Sequence, residues 1–93
     1  MAKEKPSNKE LSEVLDIPED IVAHIQDSGG YIPTGVAAQL LYINPQTLRN
    51  WGENGRLIPD RILGSGHRRY LLTTIADYVK KERVKEWEME KDY

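Results

Sequence analysis

The stretch that decides the fold of this chain is Asn44-Pro45-Gln46-Thr47-Leu48-Arg49-Asn50-Trp51. The Asn44 side chain can accept a hydrogen bond from the free N–H groups at the start of a helix. Pro45 suits the first helical position, because the N–H that proline lacks would have no partner there. We therefore predict a helix that begins at Pro45. Gly55 is its expected end, since glycine readily adopts the left-handed conformation that closes many helices.

This predicted helix has one polar face and one apolar face. The polar face is formed by side chains at helical spacing, namely Gln46, Arg49, Asn50 and Glu53. Leu48 and Trp51 point to the opposite side and are expected to pack in a core. Arginine, asparagine and glutamine can each make paired hydrogen bonds to guanine or adenine edges in a major groove. The pattern therefore predicts a DNA-recognition helix.

A second helix is predicted just before this one. Thr34 can cap it, and a tight turn over residues 42–44 would join it to the helix that begins at Pro45. Its inward face is expected to consist of Val36, Ala37, Leu40 and Leu41. Helix, turn and helix in this order predict a helix-turn-helix unit.

A small hairpin is predicted after Gly55. Residues 61–63 and 69–72 are two strand candidates that flank the glycine-rich turn Gly64-Ser65-Gly66-His67,. The basic residues at the tip of this two-stranded wing are His67, Arg68 and Arg69. Positive groups on such a tip suit phosphates or a narrow minor groove, whereas an ordinary solvated hairpin is the alternative interpretation.

The segment before residue 31 is predicted to form two short acidic helices. Ser7 and Glu10 have the spacing of a capping box, and residues 1–6 are expected to fray. The apolar stripe of the second helix is formed by Ile21, Val22 and Ile25. We interpret these helices as a packing extension or as a partner surface.

The segment after residue 72 is predicted to form a last helix. Thr73 or Thr74 is expected to cap it. Its inward residues are expected to be Ile75, Tyr78 and Val79. Beyond residue 80 the pattern is dominated by charge, and Trp87 is the expected anchor of this end on the body of the protein.

Charge is distributed unevenly along the 93 residues. The net charge is −2, and residues 1–33 contain seven acidic and three basic residues, yet residues 34–70 contain five basic and two acidic residues. All five of these basic residues are arginines, namely Arg49, Arg56, Arg61, Arg68 and Arg69. Because guanidinium groups fit phosphate and guanine geometry well, the local positive charge agrees with nucleic-acid binding.

Catalysis finds little support in the residue types. The chain contains no cysteine, which excludes disulfides, thiolate catalysis and cysteine-based zinc sites. His24 and His67 are far apart in sequence and show no spacing with carboxylates that suggests a metal site or a catalytic triad. We therefore expect no enzyme activity, no catalytic or metal-binding residue and no cofactor. With no signal-peptide or membrane-spanning pattern, we expect a cytoplasmic, nucleoid-associated protein.

Three motifs carry a resemblance to a known family. Residues 31–41, 45–51 and 64–70 together resemble the winged-helix DNA-binding domain of the MerR superfamily, most closely its compact branch of BldC-type regulators and phage excisionases. The resemblance implies that Thr47 and Arg49 contact the DNA backbone and base edges. It also implies that Arg68 and Arg69 belong to a wing that reaches phosphates or the minor groove, with Tyr70 packed behind them.

One position departs from the pattern of this family. Tyr42 stands in the turn where the family usually has glycine. A non-glycine residue is tolerated there without backbone strain if φ stays negative.

The predicted fold is a mainly α winged helix-turn-helix with a small two-stranded wing and flanking helices. Its predicted parts are an acidic helical extension (residues 1–30), the DNA-binding domain (31–79) and a charged C-terminal helix or tail (80–93). The predicted DNA-binding residues are Gln46, Thr47, Arg49, Asn50, Arg56, His67, Arg68 and Arg69.

Sequence-specific binding of double-stranded DNA by a small transcription regulator is the predicted function. One alternative is an excisionase-like architectural factor. Another is a helix-turn-helix subunit that mainly contacts a protein partner, such as a terminase or recombinase. Self-association or partner binding would use the N-terminal helices and the helix that contains Trp87.

Overall fold

A computed structural model describes residues 6–91 of the chain, and the side chains of residues 6–82. The helices in this range are α1 (Asn8–Leu15), α2 (Glu19–Asp27), α3 (Thr34–Leu40), α4 (Pro45–Asn54) and α5 (Leu72–Lys91). The strands are β1 (Tyr31–Pro33), β2 (Arg61–Ile62) and β3 (Arg68–Leu71). Helices α3 and α4 form the helix-turn-helix, and β2 and β3 form the wing. The predicted winged helix-turn-helix is therefore confirmed.

Local capping accounts for the helices whose starts were predicted correctly. The Asn44 Oδ1 atom accepts a hydrogen bond of 2.8 Å from the Gln46 N–H at the start of α4. Gly55 ends the same helix with φ of +84°. At the start of α1, the Ser7 Oγ atom accepts a hydrogen bond of 3.1 Å from the Glu10 N–H. These bonds satisfy N–H groups that a helix leaves without an internal partner.

The predicted threonine caps of the other two helices are wrong. Helix α3 includes Thr34 as its first residue and follows Pro33. Helix α5 begins at Leu72, before Thr73 and Thr74. The physical reason is that strands β1 and β3 lead directly into these helices, so strand pairing sets where each helix begins.

The sheet has one strand more than the predicted wing. Its order is β1-β3-β2, and both pairs are antiparallel. Strand β1 was not predicted, because three residues are too few to show an alternating pattern. In the register, Ile32 lies opposite Tyr70, and both side chains are buried. The start of the helix-turn-helix is thereby attached to the wing.

The turn between α3 and α4 does not keep a negative φ at Tyr42, which has φ of +58°. Its N–H donates to the Gln39 carbonyl at 3.1 Å, and the Ile43 N–H donates to the Ala38 carbonyl at 3.0 Å. This pair of bonds is the Schellman arrangement, which requires a left-handed residue after the helix. The chain reaches α4 in the right direction only through that conformation, although no glycine is present.

One hydrophobic core joins α1, α2, the helix-turn-helix, the sheet and the first part of α5. Its buried members are Leu11, Leu15, Val22, Ile32, Ala37, Ala38, Leu48, Leu57, Tyr70, Leu72, Ile75 and Ala76. Leu48 is buried as predicted, whereas Trp51 is only partly buried against the cluster. Leu40, Leu41, Tyr78 and Val79 also pack against it as partly buried residues.

Two predicted inward residues lie at the surface. Val36 and Ile21 are exposed, at 36% and 46% of their area. In α3 the buried residues are Ala37, as predicted, and Ala38. The close approach of the sheet leaves room only for small side chains on that side. Residues 1–5 of the segment predicted to fray lie outside the described residues, and Trp87, the predicted anchor, lies outside the described side chains. Within residues 6–91, no helix is long and apolar enough to cross a bilayer.

Candidate nucleic-acid interface

The polar face of α4 is exposed, as the helical spacing predicted. Gln46, Arg49 and Asn50 are all solvent-accessible, and Thr47 beside them is partly buried. The Gln46 Nε2 atom donates to Asn50 Oδ1 at 3.3 Å, and the Arg49 Nη1 atom donates to Gln46 Oε1 at 3.4 Å. These bonds are long and exposed, so they hold the side chains together only weakly. Base edges can replace them at little cost.

The wing ends in a tight turn built by backbone hydrogen bonds. The Leu63 N–H donates to the His67 carbonyl at 2.9 Å, and the Gly66 N–H donates to the Leu63 carbonyl at 2.8 Å. Gly66 has φ of +88°, which a side chain would disfavour,. The His67 Nδ1 and Ser65 Oγ atoms lie 2.8 Å apart, within hydrogen-bonding distance. His67 is thus exposed at the tip in a defined position.

A groove lies between the start of α3, the recognition helix and the wing. Its lining residues are Pro33, Thr34, Gly35, Arg49, Ser65, Gly66, His67, Arg68 and Arg69. No lining residue is acidic, and three are arginines. Arg49 is therefore the predicted residue of α4 that lines this basic groove together with the three predicted residues of the wing, namely His67, Arg68 and Arg69.

The two neighbouring arginines of β3 differ in their surroundings. Side chains alternate along a strand, so Arg68 shares a face with buried Tyr70, and Arg69 lies on the opposite face. The Arg68 Nη1 atom donates to the Arg49 carbonyl at 3.0 Å, which ties the wing to the recognition helix. Among the residues described, the Arg69 Nη1 atom donates to the Arg68 carbonyl next to it, at 3.1 Å. Burial raises the pKa of the Tyr70 phenol, and the positive charge of Arg68 acts in the opposite direction.

Arg56 is separated from the other predicted DNA-binding residues and lines a different, aromatic groove. Its Nε atom donates to the Tyr78 hydroxyl at 2.7 Å, and its guanidinium lies 4.4 Å from the centre of the Trp51 ring. The Nη2 atom is 3.6 Å from Glu82 Oε1. The hydrogen bond to Tyr78 raises the pKa of Arg56, so this arginine is engaged within the protein.

Arg61 is an exposed arginine of β2 that was not among the predicted DNA-binding residues. It lies directly opposite Arg69 in the β2–β3 ladder, so both side chains project from the same face of the sheet. Among the described side chains, neither forms an ion pair. The pairing register could have indicated Arg61, but only if the first strand had been aligned correctly with the second.

Exposed polar residues on α4, together with a basic hairpin beside it, define a winged helix-turn-helix of the DNA-binding class. Residues 33–70 match the family model described as MerR family regulatory protein. The match runs from the last residue of β1 to Tyr70 and includes both helices of the helix-turn-helix and most of the wing. Residues 33–70 are thus similar to the DNA-binding domain of MerR family regulators, and this similarity supports a DNA-binding regulator in general. Searches of curated proteins and of solved structures found no significant match to the chain.

Proposed function

We propose that this chain binds double-stranded DNA in a sequence-specific manner as a small transcription regulator. Helix α4 enters the major groove, and the wing lies over phosphates and the adjacent minor groove. The observation that carries the proposal is the groove that Arg49 of α4 lines together with the basic wing, with the exposed side chains of Gln46 and Asn50 on the same helix. Binding to chromosomal DNA would locate the protein in the nucleoid.

Base recognition is assigned to three side chains of α4. Gln46 and Asn50 can each pair with an adenine edge, and Arg49 can pair with a guanine edge. In the free protein these groups are bonded weakly to one another. Binding therefore exchanges weak surface hydrogen bonds for bidentate ones. Thr47, which is less exposed, is assigned a contact to the sugar-phosphate backbone.

Phosphate binding is assigned to the outer face and tip of the wing. Arg61 and Arg69 lie opposite each other, and like charges in that position destabilise a strand pair. A phosphate between them would relieve the repulsion, which makes the pair a suitable anion site. His67 at the tip can donate a further hydrogen bond when it reaches the backbone or the minor groove.

The test is a titration of the protein into random duplex DNA and into its own upstream region at two salt concentrations, followed by fluorescence anisotropy. The affinity should fall steeply with salt, with a log-log slope of about −0.9 for each phosphate contact. Arg49→Ala should weaken specific binding by at least about tenfold, because it removes a bidentate hydrogen bond to a base.

Arg56→Ala and Lys81→Ala are the matched controls, since each removes one positive charge outside the proposed surface. Both should leave the salt slope unchanged. If they weakened binding as much as Arg49→Ala does, affinity would depend on net charge alone and the proposed surface would be wrong.

Two alternative functions give different outcomes in the same experiment. An excisionase-like architectural factor would bend its site strongly, which a circular-permutation mobility shift detects. If no duplex bound even at low salt, the domain would instead contact a protein partner. The exposed Ile58 and Ile62 side chains, at 64% and 61% of their area, would then be the first surface to examine, followed by the N-terminal helices.

A further inference from the structure

We propose that Arg68 positions the wing against the recognition helix, and that Gly52 provides the space that its guanidinium needs within α4. In this assignment Arg68 is a positioning residue and does not itself contact DNA. The inference rests on the proposed function, since the two elements that it joins are the two that are assigned to DNA.

The contacts of Arg68 point inward. Its side chain shares the inner face of β3 with Tyr70, which is 0% exposed. Its Nη1 atom donates to the backbone carbonyl of Arg49 at 3.0 Å. A carbonyl has two lone pairs, so it can accept this bond and still take part in the helix. A wing side chain thus holds the backbone of the residue whose own side chain is assigned to the bases.

Gly52 explains how the guanidinium reaches that carbonyl. The residue lies inside α4 with an ordinary helical backbone, where glycine weakens a helix relative to alanine. A Cβ atom at this position would lie 2.9 Å from Arg68 Nη1 and 3.4 Å from Pro59 Cδ. The first distance is shorter than real Cβ atoms show. The glycine therefore leaves the space that the Arg68 guanidinium occupies.

This hydrogen bond matters because little else joins the two elements directly. Helix α4 packs mainly against α3, whereas β3 packs mainly against β1, β2, α3 and α5. The Arg68 bond therefore fixes the distance between the polar face of α4 and the outer arginines of the wing. Fixing it before DNA binds avoids an entropy cost at the time of binding.

A double-mutant cycle on DNA affinity tests the proposal. Gly52→Ala crowds the end of a flexible side chain, so it should displace the guanidinium without unfolding the helix. We expect Gly52→Ala and Arg68→Ala each to weaken binding by about tenfold, within the usual range for residues that interact directly. In the Arg68→Ala background, Gly52→Ala should change affinity less than about twofold, since no guanidinium remains to be displaced.

The neighbouring arginine supplies the matched control. Arg69 lies on the opposite face of β3, away from Gly52. Gly52→Ala should therefore weaken binding by the same factor with and without Arg69→Ala. If Gly52→Ala weakened binding by that same factor in the Arg68→Ala background as well, Gly52 would not act through the Arg68 guanidinium, and the proposal would be overturned.

The salt slope gives a readout that a loss of stability alone would not change. Gly52→Ala removes no charge, yet a displaced wing should bind fewer phosphates. The slope should therefore become shallower by about 0.9 for each phosphate that the wing no longer reaches. An unchanged slope together with an unchanged affinity would mean that the wing needs no such attachment.

The same four proteins, unfolded by urea without DNA, separate this inference from the proposed function. Gly52→Ala should increase helix propensity in both backgrounds. In the unaltered protein it also breaks the Arg68–Arg49 hydrogen bond, which lowers the gain. It should therefore raise the urea midpoint of unfolding more in the Arg68→Ala background, where this bond is already absent. Coupling in unfolding without any DNA binding would refute the proposed function alone. Additive effects in unfolding would refute the positioning role even if DNA binds.

Discussion

At the scale of single residues, the arginines of the central segment divide according to their partners. Arg56 is held by Tyr78, Trp51 and Glu82, and Arg68 is held by the Arg49 carbonyl. Arg61 and Arg69 project from the outer face of the sheet. The residue type is the same, yet only the surroundings determine which guanidinium is available to a phosphate.

Tyr42 is the residue whose backbone is least suited to its side chain. It has φ of +58° and is 83% exposed, so packing of its side chain does little to offset the backbone strain. Tyr42→Gly should therefore raise the free energy of unfolding, by about 1 kcal/mol, because the left-handed conformation disfavours a Cβ atom. Urea denaturation followed by circular dichroism measures the change.

Gly55→Ala is the reverse control for Tyr42→Gly, because it adds a Cβ atom at a position with positive φ. Gly55 has φ of +84° and open space where a Cβ atom would lie, so alanine there adds backbone strain without a steric clash. It should lower the free energy of unfolding by about 1 kcal/mol. A loss of stability in Tyr42→Gly would mean that the Tyr42 ring makes a contribution larger than the strain.

At the scale of elements, Asp60 joins the wing to the start of α5. Its Oδ2 atom accepts from the Leu71 N–H at 2.8 Å, and its Oδ1 atom accepts from the Thr74 hydroxyl at 3.0 Å. Its own N–H donates to the Arg69 carbonyl at 3.0 Å. The carboxylate also lies near the positive end of the α5 dipole. A residue eleven positions before Leu71 thus holds the last N–H of β3 and the hydroxyl of Thr74, one of the two threonines predicted to cap α5.

Asp60→Ala should lower the free energy of unfolding by about 1 to 2 kcal/mol, because two hydrogen bonds to a charged acceptor are removed. Asp60→Asn keeps one acceptor oxygen, so its free energy of unfolding should lie between those of the unaltered protein and Asp60→Ala. Asp27→Ala, which removes an exposed carboxylate at the end of α2, should stay within about 0.5 kcal/mol. Equal losses of stability in Asp60→Ala and Asp27→Ala would show that the hydrogen bonds of the Asp60 carboxylate contribute nothing.

At the scale of the whole molecule, the acidic N-terminal helices complete the core of the DNA-binding domain. Leu11 and Leu15 of α1 are 0% and 4% exposed and belong to the same cluster as Leu48 and Tyr70. The Glu10–Lys80 pair, at 2.6 Å between Oε2 and Nζ, joins α1 to α5 at the surface. Exposed pairs contribute little, so apolar burial is the main attachment. We therefore propose that residues 6–30 fold together with residues 31–79.

Leu11→Ala should lower the free energy of unfolding by about 2 to 5 kcal/mol, since it leaves a cavity in the core. Ile21→Ala is the matched control on the neighbouring helix. Because Ile21 is 46% exposed, its truncation should cost less than about 1 kcal/mol. A single unfolding transition in both variants would agree with one cooperative unit, whereas two transitions would show that the N-terminal helices fold separately.

Features set by neighbours in sequence could be predicted from the residues alone. The start and end of α4, its polar face, the buried Leu48 and the two-stranded wing follow from capping groups and from periodicities of two and 3.6 residues. The match of residues 33–70 to MerR regulators agrees with the motifs that carried the resemblance.

Tertiary structure alone decided the features that depend on distant residues. Strand β1 exists because β3 pairs with it. Asp60 bonds to Leu71 and Thr74 at the junction of β3 and α5. Tyr42 takes a positive φ because the chain must turn from α3 into α4. The roles of Arg56, Arg68 and Gly52 likewise depend on groups that the fold brings together. The physical reason is range: capping and periodicity act within a few residues, whereas the partner of a guanidinium or a carboxylate is set only when separate elements pack.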